Sequence, residues 1–223
     1  MPEVPENRNQ RGRQETQVQG ATRNIDGRIC FNRQLRFEDR MKLTACMLVL
    51  SLSALCGHAM AGSYEDVIAG WKSHDDVSRW LSNNFTFENS RQEQIAKRLK
   101  QQGPTGLLVR NPATLYEENH RGYCADSANF AITSLNRIDP AYNARWVFIR
   151  NDAGPPNHWV AAFDFEDKLY IMDYGPGKKW KAMQGVHGPY GSLDEYRAYL
   201  ASLDLPDLKV GRVVFREMPG QED

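Results

Sequence analysis

From residue 64 to 83 the apolar positions Val67, Ile68, Trp71, Val77, Trp80 and Leu81 recur three and four residues apart, the stripe of a helix with one buried face. Residues 89–102 repeat the pattern more sparsely, with Ile95 and Leu99 among many charges, and Gly103-Pro104 ends that helix. Residues 105–121, which include Asn111-Pro112, read as an extended loop. A third helix is predicted over 124–137, with Ala128, Ala131, Ile132 and Leu135 on its inner stripe. Beyond it the period drops to two. ARWVFIR (144–150) reads as a strand, and HWVAAFDF (158–165) and KLYIMDY (168–174) flank Glu166-Asp167 as a hairpin. Residues 175–191 hold five glycines and two prolines and read as a loop. SLDEYRAYLASL (192–203) opens with a serine N-cap and an acidic first turn, and LKVGRVVFRE (208–217) closes as a strand. Helices first and neighbouring strands afterwards imply an α+β fold with an antiparallel sheet.

The front of the chain follows another pattern. Residues 1–40 are polar, rich in Arg, Gln and Asn, and without apolar periodicity, which is the composition of a disordered extension. MKLTACMLVLSLSALCGHAMAGS comes next. Lys42 is a positive start, residues 43–56 are an apolar core, and Ala59-Met60-Ala61 is a small-x-small cleavage site, together a secretory signal. An apolar run this short falls below the roughly 20 residues of a membrane span. Signal peptides begin chains, so Met41 is the expected start and residues 1–40 the product of a misplaced start codon; the alternative, with Met1 as the start, is an uncleaved anchor behind a short cytoplasmic tail. Leu55 before Cys56 argues against lipidation there. The reading is therefore an extension (1–40), a signal peptide (41–61) and one mature domain (62–223), periplasmic or secreted.

The whole chain has a formal net charge of zero, and the mature part is slightly acidic. Nothing in that balance suits nucleic acid or an anionic membrane surface. Of four cysteines, Cys30, Cys46 and Cys56 precede the cut, leaving Cys124 alone in the mature domain. An odd thiol in an exported chain calls for an intermolecular partner or a reactive role. One cysteine, and no HxxH or HxxxH pairing, gives no basis for a metal site or other cofactor.

Cys124 follows Gly122-Tyr123 at the predicted first turn of a helix, where unpaired N–H groups favour a thiolate and can donate to an oxyanion. Four histidines are candidates for its base. His74 falls on the first apolar stripe, as a packed residue would; His120 lies on the approach loop; His187 lies in the glycine-rich loop; His158 opens a strand. If Phe165 pairs with Lys168 across the two-residue turn, Asp173 faces Val160, and His158 and Asp173 become diagonal neighbours on one face. An aspartate in an apolar strand is costly unless paired, and a carboxylate accepting the imidazole N–H fixes its tautomer. Cys124, His158 and Asp173 are the candidate catalytic residues.

GYC at a helix start, then NHWVAAF and YIMDYG on adjoining strands, with NPATLYEENHRGYC as the approach loop, resemble the transglutaminase-like core of the papain-type cysteine enzymes over about residues 76–176. The resemblance implies a papain-like fold with the nucleophile helix packed on the sheet, Cys124 as nucleophile, His158 as general base and then acid, and Asp173 as orienting carboxylate. It departs from the calcium-dependent proteinases of that group, which carry a Cys-acidic-acidic run, because Ala125 precedes Asp126 here. Asn84 and Asn111 are candidate side-chain oxyanion donors, and Trp159, Tyr174, Trp180 and Tyr190 are candidate cleft aromatics beside the basic run Lys178, Lys179 and Lys181. The expected activity is acyl transfer from a protein or peptide amide. Water as acceptor makes a peptidase or amidase, the favoured reading; an amine makes a transglutaminase. Rival readings are arylamine acetyl transfer, against which the export signal counts, and an inactive binding module on the same scaffold.

Overall fold

The computed structural model describes residues 62–223; the extension and the leader read at 1–40 and 41–61 lie outside the described residues. The first apolar stripe is carried by two helices rather than one, α1 (Tyr64–Gly70) and α2 (His74–Asn84). Ser63 and Ser73 each open a capping box, with Asp66 and Asp76 returning the hydrogen bond to the cap backbone. Trp71 is extended between them, so the second cap interrupts a pattern whose spacing alone runs straight through. Tyr64, Ile68, Val77 and Leu81 nevertheless share one core.

β1 (Thr86–Phe87) and α3 (Asn89–Gln102) follow, and α3 ends where Gly103 takes a φ of 64°. The segment expected as an extended loop is built more closely: Gly103–Gly106 forms a short 3₁₀ turn, β2 (Leu108–Val109) comes next, and a helical stretch runs from Pro112 to Asn119. Asn111 caps that stretch by accepting the Ala113 N–H at 2.9 Å. Short polar-rich turns of this kind carry too few residues to show a period. β3 (Arg121–Gly122) then pairs in parallel with β1 and delivers the chain to α4 (Cys124–Ile138).

The remainder is a five-stranded sheet of β4 (Arg145–Asn151), β5 (His158–Phe165), β6 (Lys168–Asp173), β7 (Gly185–Tyr190) and β8 (Val210–Phe215). The order is β7-β6-β5-β4-β8 with every pair antiparallel, so the architecture is α+β. β7 departs from the loop expected over 175–191, since GVHGPY is too rich in Gly and Pro to read as a strand. Its place at the sheet edge accommodates Pro189, because an edge strand does not need every N–H. α5 (Leu193–Ser202) begins at the Ser192 cap, and β9 (Gln221–Glu222) pairs in parallel with β2.

Two cores sandwich the sheet. Ala161, Phe163 and Met172 meet Phe130, Ala131 and Leu135 of α4 on one face. Val160, Ala162 and Ile171 meet Tyr196 and Leu200 of α5 on the other. Coverage on both faces explains why β5 reads as a nearly continuous apolar run.

Candidate active site

Phe165 pairs with Lys168 and Ala161 with Met172, the register expected from a two-residue turn. Extending that register places His158 and Asp173 on one face near the end of the hairpin. There the His158 Nε2–H donates to Asp173 Oδ2 at 2.7 Å, with both side chains buried. The second carboxylate oxygen, Oδ1, accepts the Gly175 N–H at 3.0 Å. Asp173 is thus held at both oxygens. With Nε2 committed, Nδ1 is the ring nitrogen left for a thiol, and Gly175, which holds Asp173, packs against the backbone of Cys124. Burial opposes the charging of His158, but the charge and hydrogen bond of Asp173, and then the nearby Cys124, outweigh it and raise the imidazole to about 10. Trp180 stands edge-on to the imidazole, with ring centroids 5.6 Å apart, and is fixed by its own Nε1–H donating to Pro206 O.

Cys124 is the first residue of α4 and a free thiol, 7% exposed. Its neighbours explain the surrounding sequence. Gly175 backs directly onto it: a Cβ there would lie 2.4 Å from the Cys124 Cα. Gly122 meets the Asp126 side chain almost as closely, at 2.6 Å. Asp126 folds back to accept the Tyr123 N–H at 2.9 Å, capping the helix on which the thiol sits. It also accepts the Arg110 N–H at 2.7 Å and two hydrogen bonds from Arg91, at 2.6 and 3.1 Å. Burial pushes the Asp126 carboxyl up, and the bonds and charge of Arg91 oppose it. Asp126, Arg91 and Gly175 escape sequence reasoning. The sole signal for Asp126 is its place two residues beyond the cysteine, and for Gly175 its place two beyond the aspartate.

Other candidates fall elsewhere. His74 packs among Tyr142, Phe163 and Phe165, as its stripe position implies. His120 bonds Tyr116 O, and His187, on β7, bonds Met183 O and the Tyr199 hydroxyl. Asn84 donates to Trp80 O at an exposed position. Asn111 is spent on its cap and on Glu222. Of the aromatics, Trp159 shares a buried cluster with Cys124 and Trp180 touches His158, whereas Tyr174 bonds Ser78 and Tyr190 packs on Tyr196 and Tyr199. Lys179 pairs with Asp207 in solvent. Among the described residues, no three His, Cys, Asp or Glu side chains converge to hold a metal, and no helix is long and apolar enough to cross a membrane.

No protein-family model matches the chain, and no curated protein does. Among solved structures the chain is similar to one described as a crystal structure of a TGase, at 13% identity. The match covers 62% of this chain and 37% of that one, with a TM-score of 0.32. The chain thus spans well under half of that protein, and a likeness this slight carries no weight for function.

Proposed function

We propose that the protein is an exported cysteine-dependent acyl-transfer enzyme of the transglutaminase-like kind, hydrolysing an amide in a protein or peptide substrate. The observation that carries the reading is the buried His158–Asp173 hydrogen bond at 2.7 Å, joined through Gly175, which bonds Asp173, to the backbone of Cys124 at a helix start. A helix N-terminus and an imidazolium both stabilise a thiolate, and a carboxylate clamped at both oxygens stabilises the imidazolium. The Cys124 sulfur forms a bond to the amide carbonyl carbon. The proton held by His158 passes to the departing amine as the C–N bond breaks, leaving a thioester. Water then attacks the thioester carbonyl and gives a proton to His158; the C–S bond breaks, and the acid and the thiolate–imidazolium pair are released. An amine in place of water makes the same sequence a transamidation. The Cys124 N–H, at the first position of its helix, is available to the oxyanion.

The test is alkylation of the full chain by iodoacetamide, followed at the Cys124-containing peptide by mass spectrometry. Rapid alkylation at neutral pH that slows about a hundredfold in His158→Ala is the expected result, since a positioned base contributes on that scale. A Cys124 that is inert, or equally reactive without His158, would reduce the molecule to a binding scaffold. Product analysis with a peptide amide, with and without added primary amine, then separates hydrolysis from transamidation.

A further inference from the structure

Arg91 lies on α3 and is not one of the three candidate catalytic residues, yet it is only 8% exposed. Its guanidinium is divided. Nε and one terminal nitrogen grip Asp126, the carboxylate that caps the Cys124 helix, at 2.6 and 3.1 Å. The terminal nitrogens also reach Asp223, at 2.9 and 3.3 Å. The segment bearing Asp223 is bound to the approach to the active site by more than this pair. Gln221 and Asp223 donate backbone hydrogen bonds to Leu107 and Val109, and the Asn111 N–H donates to Asp223 O. The Glu222 carboxylate accepts from Asn111 and from Asn129 of α4. Gly220 approaches Leu107 O so closely that a Cβ there would lie 2.0 Å away.

Resting on the reading of Cys124 as nucleophile, we propose that Arg91 and Asp223 are positioning residues for that thiol, and that docking of β9 sets its reactivity. The physical path is short. Asp126 bonds the Tyr123 N–H, and Tyr123 is the residue before Cys124. A carboxylate with one fully engaged guanidinium has one orientation; with that guanidinium released on its far side, the pair can rotate and the cap with it. The planar five-donor fork of arginine suits such sharing between two carboxylates, which a lysine ammonium cannot reproduce in one plane. Burial opposes the charge on Arg91, but the hydrogen bonds and charges of Asp126 and Asp223 outweigh it and keep the guanidinium protonated. β9 therefore acts as a latch, linked through a buried cation to the first turn of the nucleophile helix.

Replacing Asp126 or Arg91 risks unfolding through an unpaired buried charge, so the test uses Asp223, whose side chain is partly exposed. In the full chain, iodoacetamide alkylation of Cys124 is followed across pH for the parent, His158→Ala, Asp223→Ala and Asp223→Glu. Asp223→Ala is expected to slow the His158-dependent rate about tenfold, the scale of a sub-ångström displacement of a reacting group. Asp223→Glu is expected to restore it, and the thermal midpoints of both Asp223 variants to stay close to the parent's. A parent that depends on His158 while Asp223→Ala leaves rate and pH profile unchanged overturns the latch alone. So does a slowing that Asp223→Glu fails to restore. A parent indifferent to His158→Ala overturns the nucleophile reading first, and the latch with it.

Discussion

At the level of single residues, the candidate site depends on groups that are absent as much as on groups that are present. Gly175 has no side chain because the chain leaving the Asp173 strand passes against the backbone of Cys124, where a Cβ would lie only 2.4 Å from the cysteine Cα. Gly175 also supplies the N–H that holds Asp173 Oδ1. Gly175→Ala therefore cannot be absorbed by a side-chain rotation, as the obstacle is backbone. The expected outcome is a loss of about 1–3 kcal/mol, the usual cost of overpacking, together with slower alkylation of Cys124. Urea unfolding with parallel thiol kinetics checks it; an unchanged midpoint would mean that the two backbones part easily. Gly122 makes the same point on the other side of the cysteine, since the Asp126 carboxylate occupies the space a side chain would need. The order Gly-Tyr-Cys-Ala-Asp is thus one local device: the aspartate turns back under the glycine to cap the helix that begins with the thiol.

Among the elements, the hairpin of β5 and β6 does most to assemble the site. Its turn residues Glu166 and Asp167 have φ of 51° and 57°, the left-handed pair of a two-residue turn whose twist matches its strands. That turn sets the register, and the register carries His158 to Asp173. Glutamate and aspartate are not the residues this geometry prefers, because a Cβ in the left-handed region costs about 1–2 kcal/mol per residue. Glu166→Asn combined with Asp167→Gly is expected to raise stability by about that order for one residue and to leave Cys124 reactivity unchanged, the turn being at the far end of the hairpin. Differential scanning calorimetry would show a higher midpoint; a lower one would mean that the two acids stabilise the turn by contacts of their own. The same attention to local chemistry separates α1 from α2, where Ser73 and Asp76 close a capping box inside an unbroken apolar stripe.

Across the molecule as a unit, the buried His158 ties stability to pH. Its folded pKa, about 10, is raised above the roughly 6.5 of a free imidazole. Between those values a charged folded imidazole holds a proton that the unfolded chain releases, offset below the ordinary thiol value of about 8.5 by the proton that a folded Cys124 thiolate has given up. The contribution of His158 is complete below the lower value and is lost as pH rises through the window to the upper one, with the net slope concentrated above about 8.5. Chemical denaturation across that range should show stability falling towards alkaline pH, and Asp173→Asn should flatten the slope, since the carboxylate charge is what holds the proton. A flat profile in the parent would show that His158 is neutral when folded. The class of fold, the first turn on which Cys124 sits, and the His158–Asp173 neighbourhood are all legible in the linear chain. Each follows from interactions between residues close along it: helical and strand periods, caps, and a two-residue turn that leaves only one register. β7 is not legible in this way, because its glycines and Pro189 are acceptable only at an edge that exists once β6 is in place. Neither is the approach of Gly175 to Cys124, nor the division of Arg91 between Asp126 and Asp223, separated from it by 35 and 132 positions. Such contacts leave no period and no motif; they arise only when the sheet packs against α4 and draws distant segments together.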